Sequence, residues 1–139
     1  LWIEDGGATT VNGFKKLLKE EQEFLLDYLD NMSVYEKIRV NNQNYILVHS
    51  LPSDLQNKKN LNYQIEEVLF GRPDFTASWN QEDIYIIGHT PTFKIPGAVP
   101  GKIYRRNNLI DIDCGCVTGH ALCAYCIDTG EAFYEPVLI

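Results

Sequence analysis

Residues 84–92 have the sequence Ile84-Tyr85-Ile86-Ile87-Gly88-His89-Thr90-Pro91-Thr92. The four apolar residues at its start predict a short β-strand that is buried on both faces. Gly88 permits a sharp turn after this strand, and Pro91 ends any regular continuation. His89 therefore follows the carboxyl end of a strand, where open α/β sheets collect functional side chains. A turn histidine bonded to nearby backbone would give the same pattern, so both interpretations stay open at this point.

The same arrangement occurs a second time along the chain. Residues 45–48 (YILV) predict another buried strand, His49 follows it, and Pro52 ends the next loop. Between the two histidines lies a turn, residues 71–74, that carries Arg72. Imidazole nitrogens bind zinc, manganese and iron ions, and a guanidinium binds a phosphate group bidentately. Two histidines are too few for a hydrolytic dimetal site, and the available carboxylates form no pattern that requires a metal role; these are Asp54, Asp74, Asp111 and Asp113.

Length and composition narrow the class of protein. The chain has 139 residues, of which 45% are hydrophobic, and this fits one domain with a sizeable core. Its formal net charge of −7 argues against a binding surface for nucleic acid or for anionic membranes. The sequence has no apolar run near the ~18 residues of a membrane span and no opening signal segment, so we expect a cytoplasmic protein without a membrane partner. The chain starts at Leu1 and its only methionine is Met32, so we expect a processed product or a fragment of a longer protein.

The remaining pattern predicts an α+β fold with a single domain over residues 1–139. Residues 2–10 are predicted to form a glycine-bearing loop, and Asn12 is a plausible cap for one amphipathic helix or two short ones that extend to Leu29. Another short helix is predicted over residues 63–70. The other predicted strands are residues 33–40, 102–106, 109–113, 121–127 and 131–138, with turns at 41–44, 107–108 and 128–130. The second half of the chain is therefore expected to be largely antiparallel sheet.

Five segments of the chain follow an order that is known from one protein family. They are WIEDGG at residues 2–7 with Thr10, YILVHSL at 45–51, LFGR at 69–72, IYIIGHTPT at 84–92, and IDCGCVTG at 112–119 with DTGE at 128–131. These segments resemble motifs of the calcineurin-like metallophosphoesterases, and the closest branch is that of the bacterial serine/threonine phosphatases and diadenosine-tetraphosphatase-like proteins. A single motif would be modest evidence, whereas five in register cover nearly the whole chain.

The resemblance implies a four-layer αββα sandwich of which this chain is the carboxyl-terminal part, with a mostly antiparallel or mixed sheet and flanking helices. It implies that His49 and His89 bind a centre of two divalent metal ions (Mn, Fe or Zn) and that Arg72 binds the substrate phosphate. The implied activity is phosphoester hydrolysis by a hydroxide that the two metal ions activate. The implied substrate is a phosphorylated protein or a nucleotide such as a dinucleoside polyphosphate.

The chain also departs from the family pattern. Asp5 replaces the usual Asn, and His120 replaces a common Gly. The motifs G-D-x-H-G, G-D-x-x-D-R-G and G-N-H-(D/E), which supply the other metal ligands and the acid–base histidine, do not occur in it. We therefore expect an incomplete domain that lacks its amino-terminal half, is inactive alone and self-associates through an exposed inner sheet face. The alternative is a non-catalytic protein-interaction module derived from this fold.

A zinc site formed by the four cysteines is a further hypothesis. These cysteines are Cys114, Cys116, Cys123 and Cys126. On strands, the first two would share a face whereas the last two would point to opposite faces, which disfavours one shared ion. In a reducing compartment, buried small hydrophobic side chains are the favoured interpretation. His120 lies in a Thr-Gly-His turn and is expected to be structural or on the surface.

Overall fold

The computed structural model describes residues 3–53, 64–77 and 82–137. The chain forms two compact units, Leu1–Ser33 and Val34–Ile139, which are described separately below. Within the described ranges no helix has the length and apolar character that crossing a membrane requires.

The first unit is helical. A π-helical turn, Ile3–Gly7, leads directly into α1, Ala8–Phe14, and α2 follows at Lys19–Asp30. Of the two predicted alternatives, one amphipathic helix or two short ones, the second is confirmed, whereas the glycine loop predicted for residues 2–10 is wrong because residues 3–10 are already helical. Two adjacent glycines permit a loop without requiring one.

The ends of the two helices show why they are separate. Asn12 lies inside α1, so its predicted role as a cap is wrong. The side-chain nitrogen Nε2 of Gln22 donates hydrogen bonds to Phe14 O at 3.2 Å and to Leu17 O at 3.0 Å. These bonds provide partners for two carbonyl groups at the end of α1 and in the segment between the helices. The Glu21 carboxylate accepts a hydrogen bond from Leu18 N at 2.8 Å and so caps the start of α2.

The second unit is a mixed α/β arrangement. Its elements are β1 (Tyr35–Val40), β2 (Gln43–Val48), α3 (Ile65–Phe70), β3 (Ile84–Ile87), β4 (Tyr104–Arg106), β5 (Leu109–Asp111), β6 (Ala121–Tyr125) and β7 (Ala132–Pro136). The first five strands form one sheet in the order β1-β2-β3-β5-β4, and β6 pairs with β7 in a separate two-stranded sheet. This agrees with an α+β class at the level of mixed helices and sheet.

Strand direction differs in one respect from the expectation. The pairs β4–β5 and β6–β7 are antiparallel hairpins, as predicted for the second half of the chain. However, β5 also pairs in parallel with β3, and β3 pairs in parallel with β2. The centre of the sheet is therefore parallel, which suits strands that are apolar on both faces.

The hairpin between β1 and β2 is tighter than the sequence pattern suggested. Asn41 and Asn42 have φ values of 48° and 67°, so they make the two-residue turn, and β2 already begins at Gln43. Asparagine tolerates the left-handed conformation that such hairpin turns require. The predicted turn at 41–44 is thus confirmed in place but is two residues shorter.

The central strands supply the core of the second unit. Tyr85 and Ile87 of β3 are 4% and 1% exposed and pack in one cluster with Ile46 of β2 and Leu109 of β5. Ile86, which points to the other face of β3, is also buried at 6%. Burial of each such side chain stabilises the fold by about 1.5–3 kcal/mol. Burial on both faces confirms the sequence interpretation of residues 84–87.

A close approach at Gly71 joins the end of α3 to the segment that follows β2. Ser50 N donates to Val68 O at 2.9 Å, and the Ser50 hydroxyl donates to Gly71 O. A Cβ atom on Gly71 would lie 2.5 Å from Leu51 O and would overlap Glu67 O more severely. Glycine is therefore needed here for space. This contact places the residue after Gly71 near the end of β2.

We expect Gly71→Ala to lower the free energy of unfolding by about 1–3 kcal/mol, because the added methyl group collides with backbone that cannot move independently. Urea unfolding followed by circular dichroism measures this. Gly13→Ala in α1 is the matched control, since a Cβ there meets no atom within 4 Å. That variant should be neutral or more stable by up to about 1 kcal/mol. Equal effects of the two substitutions would contradict the packing argument.

Candidate functional site

The carboxyl ends of three neighbouring parallel strands lie at one edge of the sheet. His49 follows β2, His89 follows β3 by two residues, and Asp113 follows β5 by two residues. The N–H of Gly88 donates to His49 O at 3.0 Å, which continues the pairing of β2 and β3 beyond the strands. The two histidines that the sequence singled out are therefore brought to the same place by parallel pairing.

The imidazole rings of these histidines are in direct contact. Nε2 of His49 lies 3.0 Å from Nδ1 of His89, and the ring centroids are 4.9 Å apart at an interplanar angle of 62°. His49 is exposed and His89 is half-buried. One nitrogen of each ring thus points at the other across an open edge of the sheet.

The backbone at His89 is strained. Its φ is 67°, which is the left-handed region, while Gly88 is not among the residues with positive φ. Thr90 N donates to Gly88 O at 2.7 Å, so His89 is the central residue of a γ-turn of the rare positive-φ kind. The sharp turn that the sequence predicted after this strand is therefore confirmed, with Gly88 as its first residue and His89 at its centre. Such strain costs roughly 1–2 kcal/mol and is found preferentially at functional sites.

Arg72 reaches the same loop from the end of α3. Its Nη1 donates to the hydroxyl of Thr90 at 3.0 Å, and Thr90 is buried while Arg72 is exposed. Burial lowers the pKa of His89, and the charges of His49 and Arg72 lower it further, against a smaller opposing effect of Asp113. His89 is thus kept neutral near pH 7, and a neutral imidazole is the form that binds metal ions.

The end of β5 adds two carboxyl groups that differ in environment. Asp111 is fully buried, its Oδ1 accepts a hydrogen bond from Asp113 N at 2.9 Å, and its Oδ2 has no partner among the described residues. Burial raises the pKa of Asp111 to about 8. Asp113 is half-buried, its Oδ1 accepts from Gly115 N at 3.0 Å, and its carbonyl accepts from Thr92 N at 2.8 Å. These bonds fix the loop that carries His89 against the end of β5.

The histidine pair fits part of a metal coordination sphere. Two imidazole nitrogens about 2.0–2.1 Å from one ion, at an angle of about 90–110°, lie about 2.9–3.4 Å apart. The observed separation of 3.0 Å falls in this range, and it is also the length of a hydrogen bond in which one ring N–H donates to the nitrogen of the other ring. Within the described ranges no group of three or more His, Cys, Asp or Glu residues could hold a metal ion.

The other sequence candidates that the structure describes have contacts outside this pair. His120 stacks on Phe93 with ring centroids 4.9 Å apart, which is a structural role of the kind expected for it. All four cysteines are free thiols, of which Cys114 is buried and the other three are partly exposed. The expectation of buried small side chains is therefore right for Cys114 alone. Asp54 lies outside the described residues, and the Asp74 carboxylate accepts hydrogen bonds from Thr76.

The strain at His89 can be measured by comparing two truncations. We expect His89→Gly to be more stable than His89→Ala by about 1 kcal/mol, because only glycine adopts a positive φ without cost. Urea unfolding of both variants gives the difference. The same pair of substitutions at Glu23 in the regular helix α2 should show the opposite order by a similar amount. A more stable alanine variant at position 89 would mean that the left-handed backbone is not retained.

Asp111 should make folding stability depend on pH. In the unfolded chain this carboxyl loses its proton near pH 4, whereas in the folded protein it keeps the proton until about pH 8. The stabilising contribution is therefore fully present below pH 4 and is lost as the pH rises through 8. Between these values the free energy of unfolding should fall by about 1.4 kcal/mol per pH unit.

Asp111→Asn should remove this slope. The amide keeps the oxygen that accepts from Asp113 N, and its nitrogen replaces the oxygen without a partner. Urea unfolding at pH 6, 7, 8 and 9 should show that the two proteins diverge as the pH rises, with the variant becoming the more stable. Parallel pH profiles of the wild-type protein and the variant would mean that Asp111 is already ionised in the folded protein over this pH range, and they would contradict the prediction.

No model of a known protein family matches the chain. No curated protein matches it either. The resemblance to the calcineurin-like metallophosphoesterases therefore depends on the five quoted motifs alone.

Proposed function

We propose that this chain is the carboxyl-terminal part of a calcineurin-like metallophosphoesterase that hydrolyses a phosphoester of a protein or of a nucleotide. The observation that carries the proposal is the 3.0 Å approach of His49 Nε2 to His89 Nδ1 at the ends of two parallel strands. In this proposal both imidazoles are ligands of a centre of two divalent metal ions, with manganese, iron and zinc as the candidates. Such ions, when bound, lower the pKa of a water molecule and neutralise charge at phosphorus.

The protonation state of His89 supports its role as a metal ligand. Burial and the nearby positive charge of Arg72 lower the pKa of His89, so a proton does not compete with a metal ion for this ring near pH 7. The hydrogen bonds around the loop hold His89 in place although its backbone is strained. A ligand that is held before the ion arrives loses little conformational freedom when the ion binds.

Arg72 is the proposed binding group for the substrate phosphate. Its positive charge is close enough to lower the pKa of His89. The hydrogen bond to the Thr90 hydroxyl orients the guanidinium. A guanidinium has five N–H donors. The hydrogen bond to Thr90 uses only the nitrogen Nη1, and the Arg72 residue is exposed to solvent. Two parallel N–H groups can therefore bind two phosphate oxygens next to the metal centre.

The proposal includes a sandwich fold that the rest of a longer polypeptide completes. The five-stranded mixed sheet would form one layer of the αββα sandwich, and the missing ligands and the acid–base histidine would come from the other layer. The chain by itself would then bind metal weakly and would not catalyse hydrolysis. The alternative of a non-catalytic interaction module keeps the same sheet but requires neither metal binding nor phosphate binding.

Metal binding by the chain itself provides the direct test. Zn²⁺, which is diamagnetic, is titrated into the protein while the imidazole resonances are followed by NMR, and Mn²⁺ affinity is measured by calorimetry. We expect the resonances of His49 and His89 to shift together, and we expect His49→Ala and His89→Ala each to weaken binding at least tenfold. His120→Phe is the matched control, because it removes the third imidazole but keeps a ring against Phe93. Unchanged affinity in both alanine variants would exclude the ligand assignment.

The activity is tested on the natural polypeptide that contains this chain. With Mn²⁺ present, an aryl phosphate, a phosphoserine peptide and a dinucleoside tetraphosphate are offered as substrates. Arg72→Lys should lower kcat/KM by about 10–100-fold while the metal content stays unchanged, because lysine cannot bind phosphate bidentately. A G-D-x-H-G motif within ~100 residues before Leu1 would accompany activity. A metal-loaded polypeptide that hydrolyses none of the three substrates would favour the interaction module.

A further inference from the structure

Each of the two site histidines is followed directly by a buried residue that carries a hydroxyl group. Ser50 follows His49 and Thr90 follows His89, and their exposed fractions are 0% and 6%. Both hydroxyl groups form hydrogen bonds to the same two-residue segment, residues 71–72. Two strand ends that are separate in sequence therefore hold one segment between them.

Ser50 holds the backbone of this segment. Its hydroxyl donates a hydrogen bond to Gly71 O, and its N–H donates to Val68 O at 2.9 Å. Gly71 is also packed so closely that a Cβ atom on it would lie 2.5 Å from Leu51 O. The point from which the Arg72 side chain starts is therefore fixed relative to the end of β2.

Thr90 holds the other end of the Arg72 side chain. Its Oγ1 accepts a hydrogen bond from Nη1 of Arg72 at 3.0 Å. Its N–H donates to Gly88 O at 2.7 Å and closes the turn around His89. The guanidinium is thus attached to the turn that carries His89. A long side chain that is held at both ends loses less conformational freedom when it binds an anion.

The bond to Thr90 leaves one edge of the guanidinium open. Among the residues that the structure describes, none accepts a hydrogen bond from Nε or Nη2 of Arg72, and Arg72 is exposed. One N–H group on each of these two nitrogens points in the same direction, away from Nη1. Two parallel N–H groups match the spacing of two oxygen atoms of a phosphate group.

We propose that Thr90 is a positioning residue that presents the Nε–Nη2 edge of Arg72 to a phosphate dianion, free or as a monoester. Thr90 acts through the guanidinium and does not itself contact the phosphate, while Ser50 fixes the backbone from which the arginine extends. The inference rests on the proposed role of Arg72 in phosphate binding. It adds which edge of the guanidinium binds and which residues hold it.

The test uses inorganic phosphate as the probe and the metal-free chain as the protein. Phosphate is titrated while the side-chain N–H resonances of Arg72 are followed by proton–nitrogen NMR. We expect the Nε–H resonance to shift in a saturable way. Thr90→Val keeps the size of the side chain but removes the acceptor, and it should weaken phosphate binding about tenfold. Thr90→Ser restores the acceptor and should bind within about twofold of the wild-type protein.

A second readout needs no phosphate. The bond from Nη1 to Thr90 slows rotation about the Nε–Cζ bond of Arg72, so Nη1 and Nη2 should give separate resonances in the wild-type protein and in Thr90→Ser. In Thr90→Val the two resonances should merge, because no described residue other than Thr90 accepts from this guanidinium. General loosening of the loop does not predict rescue by serine.

Thr92→Val is the matched control. Thr92 lies in the same segment after β3 and is fully buried, but its Oγ1 has no hydrogen-bond partner among the described residues. Replacing a buried hydroxyl that has no partner leaves no other polar group unsatisfied. We therefore expect Thr92→Val to leave phosphate binding and both Arg72 readouts unchanged.

The outcomes separate this inference from the proposed function. If Arg72→Lys binds phosphate as tightly as the wild-type protein, the phosphate role of Arg72 is overturned, and the positioning role with it. If that substitution weakens binding but Thr90→Val does not, the phosphate role stands and only the positioning role is overturned. A single averaged Nη resonance in the wild-type protein also overturns the positioning role, so a Thr90 variant that fails to fold does not leave the question open.

Discussion

The parallel hydrogen-bond ladder between β2 and β3 is the constraint on which the candidate site depends. Its register pairs Leu47 with Ile86, so both strands end at the same level of the sheet. The bond from Gly88 N to His49 O extends the ladder past the strands and holds the following residues side by side. A slip of one residue would turn the side chains of a strand to the opposite face. The 3.0 Å contact between the imidazoles is therefore a consequence of strand register.

Burial separates the polar groups at this edge into two classes. Desolvation is the largest cause of the lowered pKa of His89 and of the raised pKa values of Asp111 and Cys114. In each case burial favours the neutral form. A neutral imidazole can bind a metal ion, whereas a neutral carboxylic acid and a neutral thiol are poor ligands.

The backbone at two positions, Gly71 and His89, allows the close contacts that form this edge of the sheet. The absence of a Cβ at Gly71 lets the end of α3 contact Leu51, and this places Arg72 within reach of Thr90. At His89 a bulky residue occupies a left-handed conformation that glycine usually takes. The hydrogen bonds on either side of His89 compensate for the strain, since they hold Thr90 and the segment after it to neighbouring backbone.

The sequence alone determined the local features that have a clear periodicity or motif. The apolar run at residues 84–87 predicted a buried strand, and the histidines after residues 48 and 87 were correctly placed at strand ends. The helical conformation of residues 3–10 was missed, because two glycines allow both a loop and a helix and local propensity does not choose between them. The sharp turn after residue 87 was predicted, but nothing in the sequence indicated that His89 would adopt a positive φ within it.

Only the tertiary structure decided which of these residues meet. The parallel pairing of β5 with β3 joins segments that are distant in sequence, and the packing of the whole unit buries Asp111. No periodicity of a single segment encodes such a pairing, because strand order and register follow from packing the whole core. The sequence therefore identified the chemical groups of the site, and the long-range pairing of strands brought them together.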